Sequence, residues 1–201
     1  MQLLLIRHGL PVRVEGASGG ADPQLAELGE AQAARIPAAI ERHRVVRVVS
    51  SPQLRARQTA AATATALDLP IDTLPGLAEY DHGDSFYIPI EQAKTDHPAA
   101  YARIKAGHLP ESVDPELFLR RVLDTVDEIV ASTDHLHTVA AFAHGGVVNA
   151  VLTHILGLEM KLTFPIDYCS ITRILFSRSG TRTIAAVNET AHVWDLLPRN
   201  R

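Results

Sequence analysis

Two apolar runs end on histidines: Leu3-Leu4-Leu5-Ile6 leads into Arg7-His8-Gly9, and Thr138-Val139-Ala140-Ala141-Phe142-Ala143 leads into His144-Gly145-Gly146. Short continuous runs of this kind read as strands buried on both faces, which commits the chain to a sheet with helices packed on either side. Each histidine is then presented at the carboxyl end of a strand, the edge where open α/β sheets bind ligands. An imidazole beside an arginine suits attack on a phosphorus atom, although a histidine in either triplet taken singly is more often a hydrogen-bonded structural residue.

A third run, Val45-Val46-Arg47-Val48-Val49-Ser50, reads as another strand and is followed by Ser51-Pro52-Gln53-Leu54-Arg55-Ala56-Arg57-Gln58-Thr59-Ala60. Ser51 suits a helix cap and Pro52 a first helical position. Arg55 then falls in the first or second turn, where its guanidinium can reach the crevice that holds the histidines, beside a helix N-terminus that favours anions.

Leu25, Leu28, Gln32, Ile36 and Ile40 follow a helical spacing, and the alanine-rich run from Gln53 to Leu67 reads as a further helix. Asp114-Pro115-Glu116 opens another, with the apolar stripe Leu119, Val122, Leu123, Val126, Ile129 and Val130. Strands are expected at Ser170 to Phe176 and Thr183 to Val187. The alternation of strands and helices predicts an α/β fold, a three-layer αβα sandwich around a mainly parallel sheet. The 201 residues are expected to form a single domain, with a lid insertion at about 82–110 that includes a helix near Glu91 to Lys105. Pro11 to Pro23, with Gly16, Gly19 and Gly20, reads as a mobile loop beside His8.

The formal net charge of −4 argues against general affinity for nucleic acid or anionic membranes, so an anionic substrate must be attracted by local arginines. The apolar start is too short for a secretory signal or a membrane span, and the expected location is the cytoplasm. The single cysteine, Cys169, excludes an intramolecular disulfide and is expected to be a partly buried thiol. Ten histidines raise the question of a metal, with His8, His82 and His144 beside Asp81 or Asp84 as conceivable ligands. No H-E-x-x-H or comparable spacing is present, and the neighbouring arginines would repel a cation, so no metal is expected.

Taken with Asp22 to Ala33, Leu77-Ala78-Glu79-Tyr80-Asp81-His82-Gly83-Asp84, Cys169-Ser170-Ile171-Thr172 and Val187 to His192, these motifs in this order resemble the histidine phosphatase superfamily. The similarity is to the branch that holds cofactor-dependent phosphoglycerate mutases and many small phosphatases. It implies a phosphoglycerate mutase-like fold, no cofactor and no metal. It implies that His8 is the nucleophile, forming a phosphohistidine, and that Arg7, Arg55, His144 and the Gly145 amide cradle the phosphate, with a protonated His144 adding charge. Glu79 matches the acidic residue that the resemblance makes the proton donor, with Asp81 and Asp84 as neighbouring rivals. Alignment through Arg55-Ala56-x-Gln58-Thr59-Ala60 selects Arg55 over Arg57.

There are departures from the family pattern. Many members continue the first motif as Gly-Glu-Thr and carry an asparagine six residues after the histidine, where this chain has Gly9-Leu10-Pro11 and Val14. One phosphate contact is then missing or supplied from elsewhere. Gln53-Leu54 also departs from the commoner order before the arginine. The expectation is a metal-independent phosphomonoesterase acting on a small phosphorylated substrate. The alternatives are a mutase, which the short lid and tail disfavour, and an inactive member that binds a phosphorylated ligand.

Overall fold

The computed structural model describes residues 1–200. In chain order the elements are β1 (Gln2–Arg7), α1 (Glu27–Ala33), α2 (Ile36–Ile40), β2 (Val45–Ser50), α3 (Leu54–Leu67), β3 (Ile71–Thr73), α4 (Ile90–Asp96) and α5 (Pro98–Lys105). They continue as α6 (Pro115–Ala131), β4 (Thr138–Ala143), α7 (Gly145–Ile155), β5 (Ile171–Phe176) and β6 (Arg182–Glu189). The strands form one six-stranded sheet in the order β3-β2-β4-β1-β5-β6. The pairs β3–β2, β2–β4 and β4–β1 are parallel, and β5 runs antiparallel to both β1 and β6. The sheet is thus mixed, with its parallel part holding the three strands that carry the motifs.

Strand side chains alternate between faces, so a continuous apolar run supplies two cores at once. Leu3 and Leu5 join Val139, Ala141 and the α6 residues Phe118, Val122, Val126 and Ile129 in one cluster. Leu4 and Ile6 join Val48, Phe142, Ile36, Ile40 and Ala60 in the other, on the opposite face. Each fully buried leucine, valine or phenylalanine contributes roughly 1.5–3 kcal/mol. Truncating Phe142, which is wholly inaccessible in the central strand, would cost about 3–5 kcal/mol.

Several local boundaries differ from expectation for identifiable reasons. The spacing from Leu25 to Ile40 is carried by two short helices rather than one, with Pro37 in the first turn of the second. Pro98 likewise splits the helix expected from Glu91 to Lys105 into α4 and α5, because it cannot continue the hydrogen-bond ladder. Helix α3 begins at Leu54 with Gln53 as its N-cap residue, so Pro52 precedes the helix. Asp22 accepts from the Leu54 amide at 2.7 Å, while the only backbone amide that donates to the Ser51 hydroxyl is that of Gln53, at 3.3 Å. Helix α6 starts as expected: the Asp114 carboxylate accepts from the amides of Glu116 at 2.9 Å and Leu117 at 3.1 Å.

The loop after β1 is stitched down. Val14 and Tyr87 exchange backbone hydrogen bonds at 2.9 and 2.8 Å, and the amides of Ala17 and Ala21 donate to Ser85 and Asp84. Gly9 lies against the backbone of Gly29, where a Cβ would come within 2.6 Å of the Gly29 carbonyl oxygen, so the turn out of β1 has no room for a side chain. Among the described residues no helix is long and apolar enough to cross a membrane.

Candidate active site

The parallel register brings the motif residues to one edge. Arg7 is level with Ala143, and Ser50 with Phe142; the next residues, His8 and Ser51, donate their amides to Ala143 at 3.0 Å and Phe142 at 2.9 Å. His8, Ser51 and His144 therefore all follow strand ends on the same side. A cleft of about 900 Å³ opens there, lined by Arg7, His8, Arg55, Glu79 and Gly145 among others.

His8 is almost inaccessible, and its Nδ1 lies 2.7 Å from the Gly9 carbonyl oxygen. A carbonyl can only accept, so Nδ1 carries the proton and Nε2 presents its lone pair. Burial, and then the positive charges of Arg55 and Arg7, hold the His8 pKa well below its ordinary value of 6.5. The ring is neutral at pH 7, with the Arg55 Nε donating to Nε2 at 3.3 Å.

Arg55 is the largest of the fully buried side chains. Its Nη2 donates to both Asp81 oxygens, and its guanidinium carbon sits 4.6 Å from the centre of the Tyr87 ring. Nη1 is buried and has no hydrogen-bond partner. Tyr87 is the residue whose backbone pairs with Val14, so the loop carrying the departure from the family asparagine is tied to the segment whose ring packs against Arg55. Arg7 donates from Nη1 to the Ile166 carbonyl at 2.5 Å and stacks over Tyr168 at 3.9 Å. Tyr168 also lies 5.8 Å from the His8 ring. Arg57 is exposed on the outer face of α3.

Glu79 is buried where α7 begins. Its Oε2 accepts from the Gly146 amide at 2.8 Å and its Oε1 from the Tyr80 amide at 3.1 Å. Burial, with the negative charge of Asp81 next, raises its pKa from 4.5 to about 7, against the pull of the two amides and Arg55. A Cβ on Gly146 would lie 2.3 Å from Glu79 Oε1, so the approach of this carboxyl to α7 depends on the glycine. Asp81 is committed to Arg55, and Asp84 is exposed.

His144 is placed differently from expectation. It is fully buried, its ring centre 5.1 Å from that of His8, and its Nε2 is 2.7 Å from the Ser51 hydroxyl. The expected protonated imidazole is corrected: burial, then the Arg55 charge, the adjacent His8 ring and the Arg7 charge, push its pKa well below 6.5. It is a neutral ring in a pocket already rich in cationic charge, and its Nδ1 has no hydrogen-bond partner.

The family model of the histidine phosphatase superfamily (branch 1) matches residues 3–190. The chain belongs to this superfamily. A protein named "Probable phosphoglycerate mutase GpmB" from Yersinia enterocolitica is 26% identical, covering 96% of this chain and 95% of its own. A mycobacterial glucosyl-3-phosphoglycerate phosphatase in complex with VO3 superposes with a TM-score of 0.75 at 26% identity, over 93% of this chain and 98% of that one. A histidine-to-alanine mutant of the phosphoserine phosphatase of Entamoeba histolytica, in complex with phosphoserine, shares the fold, with a TM-score of 0.74 at 20% identity over 96% of this chain and 98% of that one.

Other parts of this histidine phosphatase site did not stand out in the sequence as site residues. The Gln53 side chain bridges two of its carboxylate-bearing residues, accepting from the Glu79 amide at 2.7 Å and donating to Asp81 at 2.8 Å. Its departure from the commoner motif was the available signal. Arg121 of α6 donates to the carbonyls of Gly76 and Ala78, fixing the turn that delivers Glu79. Thr59 accepts from the Gly9 amide at 3.0 Å and donates to the Arg55 carbonyl at 2.7 Å. Cys169 is fully rather than partly buried, and burial raises its thiol pKa, so it is a protonated packing residue. Among the described residues no cluster of three or more histidine, cysteine or acidic side chains is arranged to hold a metal ion.

Proposed function

We propose that this protein is a metal-independent phosphomonoesterase that hydrolyses a small phosphorylated metabolite through a phosphohistidine on His8. The observation that carries this reading is the pairing of opposite protonation states in one cleft. His8 is neutral, its Nε2 without a proton and accepting only the long 3.3 Å hydrogen bond from Arg55 Nε, and Glu79 has a pKa of about 7 and so is in part protonated near neutrality. A nucleophile without a proton and an acid with one are what cleavage of a phosphate ester requires.

In the first step His8 Nε2 bonds to phosphorus as the ester P–O bond breaks, and the departing alkoxide takes the Glu79 proton. In the second, the Glu79 carboxylate takes a proton from water while the water oxygen attacks phosphorus. The N–P bond breaks, its electron pair returns to Nε2, and inorganic phosphate leaves. Arg7, the free Nη1 of Arg55 and the Gly145 amide at the start of α7 compensate charge on the transferring oxygens. His144, a neutral ring whose centre lies 5.1 Å from that of His8, brings no positive charge to the transferring group. A cytoplasmic location and a small phosphorylated partner, with no nucleic acid or membrane, belong to the same reading.

The name of the Yersinia relative supports a second reading, a mutase that returns the phosphoryl group to another hydroxyl. One experiment separates them: phosphate release from a panel of monoesters in excess chelator, with acid-labile, alkali-stable phosphate sought on the native protein and on His8→Ala. Release with labelling that is lost in His8→Ala supports the phosphatase. Isomerisation that needs a phosphorylated primer would make it a mutase, and neither activity would leave a phospholigand-binding protein. Loss of activity in chelator, restored by one metal, would overturn the proposal.

A further inference from the structure

The cleft is much larger than a phosphate, and its two ends differ in chemistry. Arg7, Arg55, His8 and Glu79 occupy one end. Beyond them, α4, α5 and the segment before α4 supply Phe86, Ile90, Tyr101 and Ile104, faced by Leu162 and Phe164 from the connection between α7 and β5. Phe86 is 51% exposed and its ring stacks on His97, with centroids 6.3 Å apart and planes 18° from parallel. An exposed aromatic ring on the wall of a cleft this size is unfinished packing that an organic group would complete.

The charges in that region do not suit a short, doubly anionic substrate. Arg199 lines the cleft, but its guanidinium is bound to Asp167 at 2.8 Å. Asp84 adds a negative group, and Lys94 and Lys105, the remaining cleft cations beyond Arg7 and Arg55 among the described residues, are exposed on α4 and α5. A carboxylate on the organic part would have to recruit one of those solvated ammonium groups, whereas an apolar ring or chain would be covered by side chains already in place. The volume, about 900 Å³, falls in the range of sites that enclose ligands of many heavy atoms.

From this arrangement we infer that the preferred substrate is the phosphate monoester of a bulky apolar alcohol, whose ring or chain lies between α4–α5 and the 162–166 segment. The inference rests on the phosphomonoesterase reading above and goes further by naming the substrate class. Phe86, Tyr101 and Ile104 are then specificity-determining side chains that touch the leaving group.

The test uses primary alkyl phosphates, which have similar leaving-group basicity, so that the rate reads the organic group rather than its ease of departure. The native protein is assayed for kcat/KM on ethyl phosphate, 2-phenylethyl phosphate, glycerol 3-phosphate and 3-phosphoglycerate. The expected result is at least about a tenfold preference for 2-phenylethyl over ethyl phosphate, the scale of filling an apolar pocket. That ratio should fall several-fold in Phe86→Ala and in Ile104→Asn. A ratio near one, or preference for 3-phosphoglycerate, overturns the inference and leaves the phosphatase reading intact. Absence of hydrolysis across the whole series overturns both. Because the native series decides the matter by itself, a variant that fails to fold does not.

Discussion

The carboxylate of Asp81 holds a single nitrogen of the Arg55 guanidinium with both of its oxygens, at 2.8 and 2.9 Å from Nη2. This leaves Nε directed at His8 and Nη1 without a partner, so the acid orients the arginine without consuming its capacity to bind an anion. Asp81 also faces Glu79 electrostatically and is the second cause, after burial, of its raised pKa. A residue that reads as a rival proton donor in the sequence is tied to Arg55 and lies near enough to Glu79 to act on its charge.

Replacing Asp81 with Asn removes a negative charge, so the Glu79 carboxyl should ionise at lower pH. Because Glu79 must hold a proton to act as acid, kcat/KM for an alkyl phosphate should begin to decline at a lower pH than in the native protein, where the fall is expected near 7. A pH–rate profile checks this. A basic limb that stays in place or moves upward would detach Asp81 from the acid.

Arg55 and Arg57 sit two positions apart on one helix and should behave oppositely. Arg55→Ala removes a buried cation from the cleft and takes from Asp81 its ion-pair partner, so the barrier should rise by roughly 3 kcal/mol or more, a loss of about a hundredfold in kcat/KM. Arg7→Ala should cost a similar amount. Arg57→Ala, on the exposed face, should be near neutral. A dispensable Arg55 beside a critical Arg57 would mean that the anion enters from a different side of α3.

The contrast between what was readable and what was not follows from the range of the forces involved. The strands β1, β2 and β4 were legible because continuous apolar runs can be buried only between two layers, and their last residues then fall at one edge. Strand β3 has just three residues, Ile71–Thr73, and owes its existence to pairing with β2, which no local pattern announces. In the same way His8 and Arg55 were marked by their motifs, whereas the neutrality of His144 depends on burial beside charges from three other segments. Gln53 and Arg121 act through amide and carbonyl partners distant in sequence, so composition around them carried little signal.

Stability should record the buried acid independently of activity. Below about 4.5 Glu79 is protonated in both folded and unfolded chains. As pH rises toward 7 the unfolded chain ionises while the folded one does not, which removes on the order of 3 kcal/mol of stability across that interval. Glu79→Gln escapes this loss, so its Tm relative to the native protein should rise between pH 5 and pH 8. His8 and His144 act in the opposite sense, losing stability as pH falls below 6.5, but they are present in both proteins and cancel in the difference. A Tm difference that does not change with pH would show that Glu79 is not held protonated in the fold.

Gly146→Ala provides a test of the same acid without touching it. Judged by helix propensity, alanine in α7 should stabilise by up to about 1 kcal/mol. Its Cβ, however, would lie 2.3 Å from Glu79 Oε1 and 2.9 Å from the Tyr80 ring, so the carboxyl must move away from the α7 N-terminus. A displaced acid matters most when the leaving group needs its proton. Gly146→Ala and Glu79→Gln should therefore both slow phosphorylation of the protein by an alkyl phosphate far more than by para-nitrophenyl phosphate, whose nitrophenolate departs largely unaided. Single-turnover measurement of that first step is required, because loss of water activation in the second step would slow both substrates alike. If both variants slow the two substrates equally in the first step, Glu79 is not the acid, and its contact with Gly146 serves only to anchor the turn.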